Sequence, residues 1–588
     1  MLLFRSLLQR HVSTFFLVMM SSLALISTSL RCEGAERVLS FPEAAPVGFV
    51  SCSPMPTYDG PFVVFSNSTI SVQRAHGRVV VSDDCFIELE LIGAAFQDLN
   101  FLSKLPTNAI HSLKISEAKL NGAQLLSIAH LTSLLRLSFE TCEFSPEAFS
   151  ELPGFPKLVA LHCSRSRNPG SLGLDTWIKK SAKLESIHVM PPLGAKELAS
   201  LGGHPSLTFI NVKVESDFPQ SMTALKKLPS LKGVQLDLYK AVNTNNDLLE
   251  GIGQITQLEW IRWFGGKVDT PTLAELSELP HLKRLDLLLF EAGPGFCKAI
   301  ESLKELERLE ISTNDNAFKT ERANLTRSMF QLPKLKWWPK VESVDFETLH
   351  EICKLDHIEK LSFKDMPSVS SNQMKELGRL KNLVQLELEH VDVDDDWLSC
   401  LSGMQNLEYL SLFATRVDGS GFQGLADLTA LKRMWIFNES QRLKLESVAA
   451  LPGLESLRLG GQFLPPMVEP LRRSQSLNKL FLEGSGKSID DTTVVWIGEC
   501  PGLVELALEG NVTEAAVESI AKLPSIHRLQ IWDSSITKDG INKLASLPSI
   551  RILSVETTSE VAPEMSQEIK KRYPWLPYVL IRNQAARN

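Results

Sequence analysis

Six residues recur along this chain at a nearly fixed interval: an apolar residue, two variable ones, a second apolar residue, one variable and a third apolar (LxxLxL). The frame is plainest in the second half, where its leading positions are Leu383, Leu407, Leu431, Leu454, Leu477, Leu503, Ile526 and Ile550. The intervals between them are 24, 24, 23, 23, 26, 23 and 24 residues. Upstream the same frame takes Phe86, Ile110, Leu134, Leu158, Leu184, Leu207, Leu231, Leu258, Leu282 and Leu306, with Leu335 and Ile358 fitting less cleanly. About twenty correlated units of this length constrain the fold to a solenoid, in which each unit buries its apolar face against the next. A chain of 588 residues would otherwise call for several domains, but a repeat array simply grows by addition.

Within a unit the pattern predicts a short strand followed by a helix. Alternation along the strand turns the apolar positions inward and the third, fifth and seventh positions onto the open face. The second half of a unit is clear over residues 536–548, where Thr537 suits a helix N-cap and Ile541, Leu544 and Leu547 recur at helical spacing. Pro548 then ends the helix before the next strand. On these residues the chain resembles an exported bacterial leucine-rich-repeat protein, of the pattern LxxLxLxxxxIxxxGLxxLxxLPx, over roughly residues 86–575. The resemblance implies an α/β leucine-rich-repeat solenoid, with a curved parallel sheet on the concave face and helices on the convex face. The Asn usual after such a strand is Asn511 in one unit but Cys142, Thr415 and Ser534 in others, so its ladder is incomplete.

The ends read differently. Residues 1–34 carry Arg5 and Arg10, then an apolar run from Phe15 to Ile26, then small residues before Ala35, the layout of a secretory signal. Export to a periplasmic, cell-surface or secreted location follows, with no integral span after signal removal; an uncleaved N-terminal anchor is the alternative. Residues 35–85 read as a β-rich N-terminal cap, 86–311 as a first block of repeats and 312–357 as an irregular repeat or kink containing Pro339. Residues 358–560 form a second block, and 561–588 a C-terminal cap. Cys52 and Cys85 bracket the N-terminal segment, where a cap disulfide is conceivable. The other cysteines lack metal-ligand spacing and mostly stand in apolar contexts.

Several signatures fail on their own terms. The stretch Gly484-Ser485-Gly486-Lys487-Ser488 mimics a phosphate-binding loop, but the position that must be the first Gly is Phe481. The run from Asp392 to Asp396 mimics a calcium loop, yet Trp397 and Gly403 stand where Gly and Glu are required. There is no HExxH and no GxSxG, so the sequence points to no enzyme, no metal and no cofactor. Net charge is −8, or −10 without residues 1–34, which disfavours nucleic acid as a partner. Sequons at Asn67, Asn324, Asn438 and Asn511 matter only in a glycosylating pathway.

What remains is the open face. Its positions carry Tyr409 and Phe413, then Arg433, Trp435 and Phe437, then Arg458, then Lys479 and Phe481, on four successive units spanning about 15 Å. Aromatic residues edged by Arg and Lys mark interface hot spots, and Glu387, Glu389, Glu505 and Glu509 give the cluster acidic borders. A smaller patch is Trp260, Arg262, Phe264 and Arg284. The function this predicts is non-enzymatic binding of a protein or peptide. A glycan or cell-wall ligand at the same aromatics is one alternative; an intracellular adaptor of the ubiquitin-ligase type is another, and it conflicts with the signal segment.

Overall fold

The computed structural model describes residues 36–583, apart from 60–61, 65–70, 97, 165–172, 191, 215–217, 239–250, 289–290, 294, 313–317, 439–442, 463–464, 485–488 and 577. The expected signal segment and Ser485 to Ser488 of the phosphate-loop mimic lie outside the described residues.

The LxxLxL frame becomes a short strand, mostly of five or six residues, and the strands align in parallel, with a register shift between Ile531 and Ser534 where Arg528–Ser534 meets Ile552–Thr557. Leu386, Leu410, Met434, Leu457, Leu480, Leu506 and Leu529 stand side by side, one per unit. All seven are buried, as are the leading residues Leu383, Leu407 and Leu431 that precede their strands. A fully buried leucine stabilises by about 1.5–3 kcal/mol relative to an exposed one, and a slip of one residue would turn each such column to solvent. The register is therefore held by the hydrophobic pattern itself. The result is an α/β leucine-rich-repeat solenoid, with short α- and 3₁₀-helices returning the chain from one strand to the next.

By contact the chain divides into two units, the first comprising residues up to 211 with 227–231, the second 212–226 with 232 onward. The first begins antiparallel: Gly48–Ser53 pairs with Ser71–Arg74 on one side and with Phe86–Ile92 on the other. From Phe86–Ile92 the pairing is parallel, through Ser112–Ser116, Arg136–Glu140 and Ala160–Ser164 to Ser186–Val189. Cys52 is buried opposite Ile87 and is a free thiol, whereas Cys85 is disulfide-bonded, so the two are not partners.

The second unit runs in parallel from Gly233–Asp237 through Trp260–Phe264 and Arg284–Leu288 to Arg308–Ser312. Trp337 then bridges Arg308 on one side and Lys360 on the other, so the irregular segment contributes one residue to the ladder at this level. Its neighbour Trp338 is 1% exposed, packs edge-on against Phe330 at 5.4 Å and donates its indole N–H to the Leu335 carbonyl at 3.1 Å. Beyond it, strands follow from Lys360–Lys364 to the terminal Tyr578–Asn583. Among the described residues no helix is long and apolar enough to cross a membrane.

Many strands end in a left-handed residue. Asp365, His390 and Ala414 have φ of 51°, 52° and 51°, and each sends its N–H to a carbonyl at the end of the following strand, those of Glu389, Phe413 and Phe437, at 3.0, 2.9 and 2.9 Å. The chain turns there without breaking the ladder. For an L-residue that conformation costs about 1–2 kcal/mol, and glycine removes the penalty. Ala414→Gly is accordingly expected to raise the unfolding free energy by about 1 kcal/mol, read as a higher urea midpoint at unchanged slope.

Candidate functional site

The open face of the second unit is a grid of three rows, one residue from each row per strand. The first row reads Trp260, Arg284, Arg308, Trp337, Lys360, Gln385, Tyr409, Arg433, Ser456, Lys479 and Glu505 in register. Glu387, Ser411, Trp435, Arg458 and Phe481 are successive members of the second row, and Glu389, Phe413, Phe437, Gly460 and Glu483 of the third.

The main cluster predicted from the sequence thus lies on the four adjacent strands Tyr409–Phe413, Arg433–Asn438, Ser456–Gly461 and Lys479–Gly484. Its members are half-buried. Phe413 stacks on Phe437 with centroids 4.4 Å apart and meets Trp435 edge-on at 5.8 Å. Phe437 lies over Gly460, where a Cβ would come within 2.2 Å of the ring, so glycine is what allows the ring to lie flat. Arg458 spans two partners, with its guanidinium 4.4 Å from the Trp435 ring and paired with Glu483. Arg433 rests over Tyr409 at 5.2 Å, and among the described residues no carboxylate pairs with it. Lys479 pairs with Glu505 at 3.0 Å. Trp435 Nε1 and Arg458 Nε are buried donors without a hydrogen-bond partner among the described residues. Burial, followed by the charge of Glu387, pushes the Tyr409 phenol well above its ordinary pKa, so it remains a neutral hydroxyl.

The smaller patch is organised by a residue the sequence reading passed over. Asp286 is 3% exposed and accepts from Trp260 Nε1 at 3.1 Å, Arg262 Nε at 3.2 Å and Arg284 Nε at 3.0 Å. Arg284 and Arg262 also lie over the Trp260 ring, at 4.4 and 4.9 Å. Phe264 occupies the third row of the same strand, beside Leu288. Asp286, Arg308 and Trp337 were available in the sequence as open-face positions of their units. The irregular spacing around Trp337 hid its register, and nothing in the repeat pattern marks Asp286 as the partner of two arginines.

The acidic run at 392–396 is used locally: Asp394 caps the helix that follows, Asp392 pairs with Arg416 and Asp395 holds a turn of the next unit. Asp394 accepts from Trp397 N–H at 3.2 Å and from the Ser371 hydroxyl at 2.9 Å. Asp395 accepts from the N–H groups of Asp418, Gly419 and Gly421 at 2.7, 2.9 and 2.7 Å. Among the described residues no group of three or more His, Cys, Asp or Glu side chains is placed to hold a metal ion.

The sequence matches no family profile and no curated protein. Among solved structures it is similar to an internalin (InlF) from Listeria monocytogenes, at 18% identity over 60% of this chain and 87% of that one, TM-score 0.31. It is also similar to TLR13 in the TLR13–ssRNA13 complex, at 16% identity over 84% of this chain and 66% of that one, TM-score 0.33. A third is the plant peptide hormone receptor RGFR1 in complex with RGF2, at 14% identity over 80% and 81%, TM-score 0.31. Scores of this size carry no functional argument, and the fold assignment rests on the in-register parallel ladder described above.

Proposed function

We propose that this chain is an exported, non-enzymatic binding protein that holds a protein or peptide partner on the open face of its second unit, centred on residues 409–481. The observation that carries the reading is the half-buried cluster of Tyr409, Phe413, Trp435, Phe437 and Phe481 with Arg433 at its edge. A sheet face with no partner to cover normally carries polar residues, and contiguous apolar clusters on such a face mark contact surfaces. Aromatic and Arg anchors surrounded by ion pairs have the composition of a binding hot spot. A glycan at this place is less well supported, because the Arg458 guanidinium lies over Trp435 and Phe413 and Phe437 cover one another.

The test is capture from an extract of the source cells, with the full chain against the Arg433→Glu, Trp435→Ala double variant, matched by circular dichroism. A partner retained by the parent and lost by the variant supports the reading. Equal capture by both sends these side chains back to a packing role. Truncating a central aromatic anchor typically costs at least about 2 kcal/mol, or roughly thirtyfold in affinity, which is well within the resolution of such an assay. Export is tested separately by the mature N-terminus, expected near Ala35 by mass spectrometry.

A further inference from the structure

We infer that the first row of the second unit is a docking stripe for an extended, acidic polypeptide segment of the partner; this names the ligand chemistry of the reading above and rests on it. From Trp260 to Lys479 the row contains five cations (Arg284, Arg308, Lys360, Arg433 and Lys479) and no carboxylate. Over the same strands the first and second rows together hold seven Lys or Arg against three carboxylates, in a chain whose acidic residues outnumber its basic ones by 69 to 61. Positive charge has been gathered here against the sign of the whole chain.

The cations are also pre-positioned. Arg284 lies 4.4 Å from the Trp260 ring, Arg308 4.4 Å from the Trp337 ring, and Lys360 5.4 Å from Trp337 on its other side in the row. An indole beneath a guanidinium restricts it before any ligand arrives. Arg284 keeps its Nε on Asp286, Lys360 its Nζ on Glu310 and Lys479 its Nζ on Glu505, so an incoming carboxylate meets the donors that remain. The same stacking occupies indole surface that a sugar ring would need. Among the described residues no carboxylate pairs with Arg433, which stands beside the aromatic cluster. The third row has the opposite sign, with Glu342, Glu389 and Glu483 against Lys364. An acidic segment is thereby confined to the first row. From Arg284 to Arg433 the stripe covers six strand spacings, about 29 Å, the length of about nine extended residues.

The experiment is fluorescence anisotropy of the full chain with a labelled oligoglutamate of about nine residues. An oligolysine of equal length and an oligogalacturonate, which offers carboxylates on sugars, serve as comparisons. The expected result is binding of oligoglutamate that weakens steeply with salt, no binding of oligolysine, and weaker binding of oligogalacturonate. Arg308→Gln with Arg433→Gln is expected to reduce affinity at least roughly tenfold, as loss of two hot-spot arginines should, and the corresponding Lys pair to lose less. Absence of oligoglutamate binding at low salt, equal binding by the Gln pair, or tighter binding of oligogalacturonate each overturns the inference. Partner capture lost in Trp435→Ala but intact in Arg308→Gln, Lys360→Gln would also overturn the stripe while leaving the aromatic contact surface standing.

Discussion

Asp286→Ala lowers the unfolding free energy by about 3 kcal/mol, toward the lower end of the 3–5 kcal/mol expected when one member of a buried charge cluster is removed. The cost comes from what is left behind. Arg262 and Arg284 lose their shared carboxylate, and the Trp260 indole loses its acceptor. Side-chain exposures of 20% for Arg262 and 31% for Arg284 allow both guanidinium groups partial return to water, which places the loss at the lower end. Asp286→Asn keeps the shape and a carbonyl acceptor and is expected to fall between. Urea unfolding with hydrogen exchange on the Trp260–Phe264 and Arg284–Leu288 strands measures both. A loss below about 1 kcal/mol in the Ala variant would mean that the arginines re-solvate completely.

The same trio gives stability a pH dependence of known sign. Burial alone would raise the Asp286 pKa, but Arg284 and Arg262, together with the donors on the carboxylate, hold it below its ordinary value. In the unfolded chain the group titrates near about 3.9. The stabilisation is therefore complete above that pH and is lost as pH falls through the lower folded value. Acid titration of wild type and Asp286→Asn should show their stability gap closing below about pH 4.

Trp338→Ala is the second large effect, with about 3–5 kcal/mol lost on truncating a fully buried aromatic. Trp338 fills the irregular segment where the repeat pattern supplies fewest leucines, and its ring meets Phe330 while its N–H is satisfied within the same loop. Because solenoid units contact only their neighbours, the damage should remain local. Hydrogen exchange is expected to accelerate in the Arg308–Ser312 and Lys360–Lys364 strands and to stay unchanged beyond Glu505–Glu509. Acceleration through the whole second unit would instead show that it unfolds as one cooperative block.

The repeat architecture was legible because its signal is redundant: each unit restates the frame, so Met434 or Ile526 replacing Leu blurs nothing. The open-face positions of Tyr409, Trp435 and Phe481 followed from the same alternation. Less legible was what each side chain does to the next. That Arg458 covers Trp435, that Gly460 accommodates Phe437, and that Asp286 holds Arg262 are contacts between residues about 24 apart in sequence. Alternation assigns a face to a residue but not a rotamer or a partner. Trp337 was hidden for a different reason: the interval from Leu306 to its leading Leu335 is 29 residues, and it joins the ladder as a lone bridge. The Cys52 and Cys85 pairing rested only on position along the chain, and Cys52 instead serves as a small apolar filler opposite Ile87.

Among the described residues the strand Tyr578–Asn583 has no neighbour beyond it in the sheet. Its Ile581 N–H donates to the Ser566 hydroxyl at 2.8 Å, from the helix Met565–Arg572 that folds back beside it. An open strand edge is otherwise a template on which another chain can continue the ladder. The Ser566 hydroxyl thus acts as a stopper at one rung: it takes an edge N–H that an incoming strand would need.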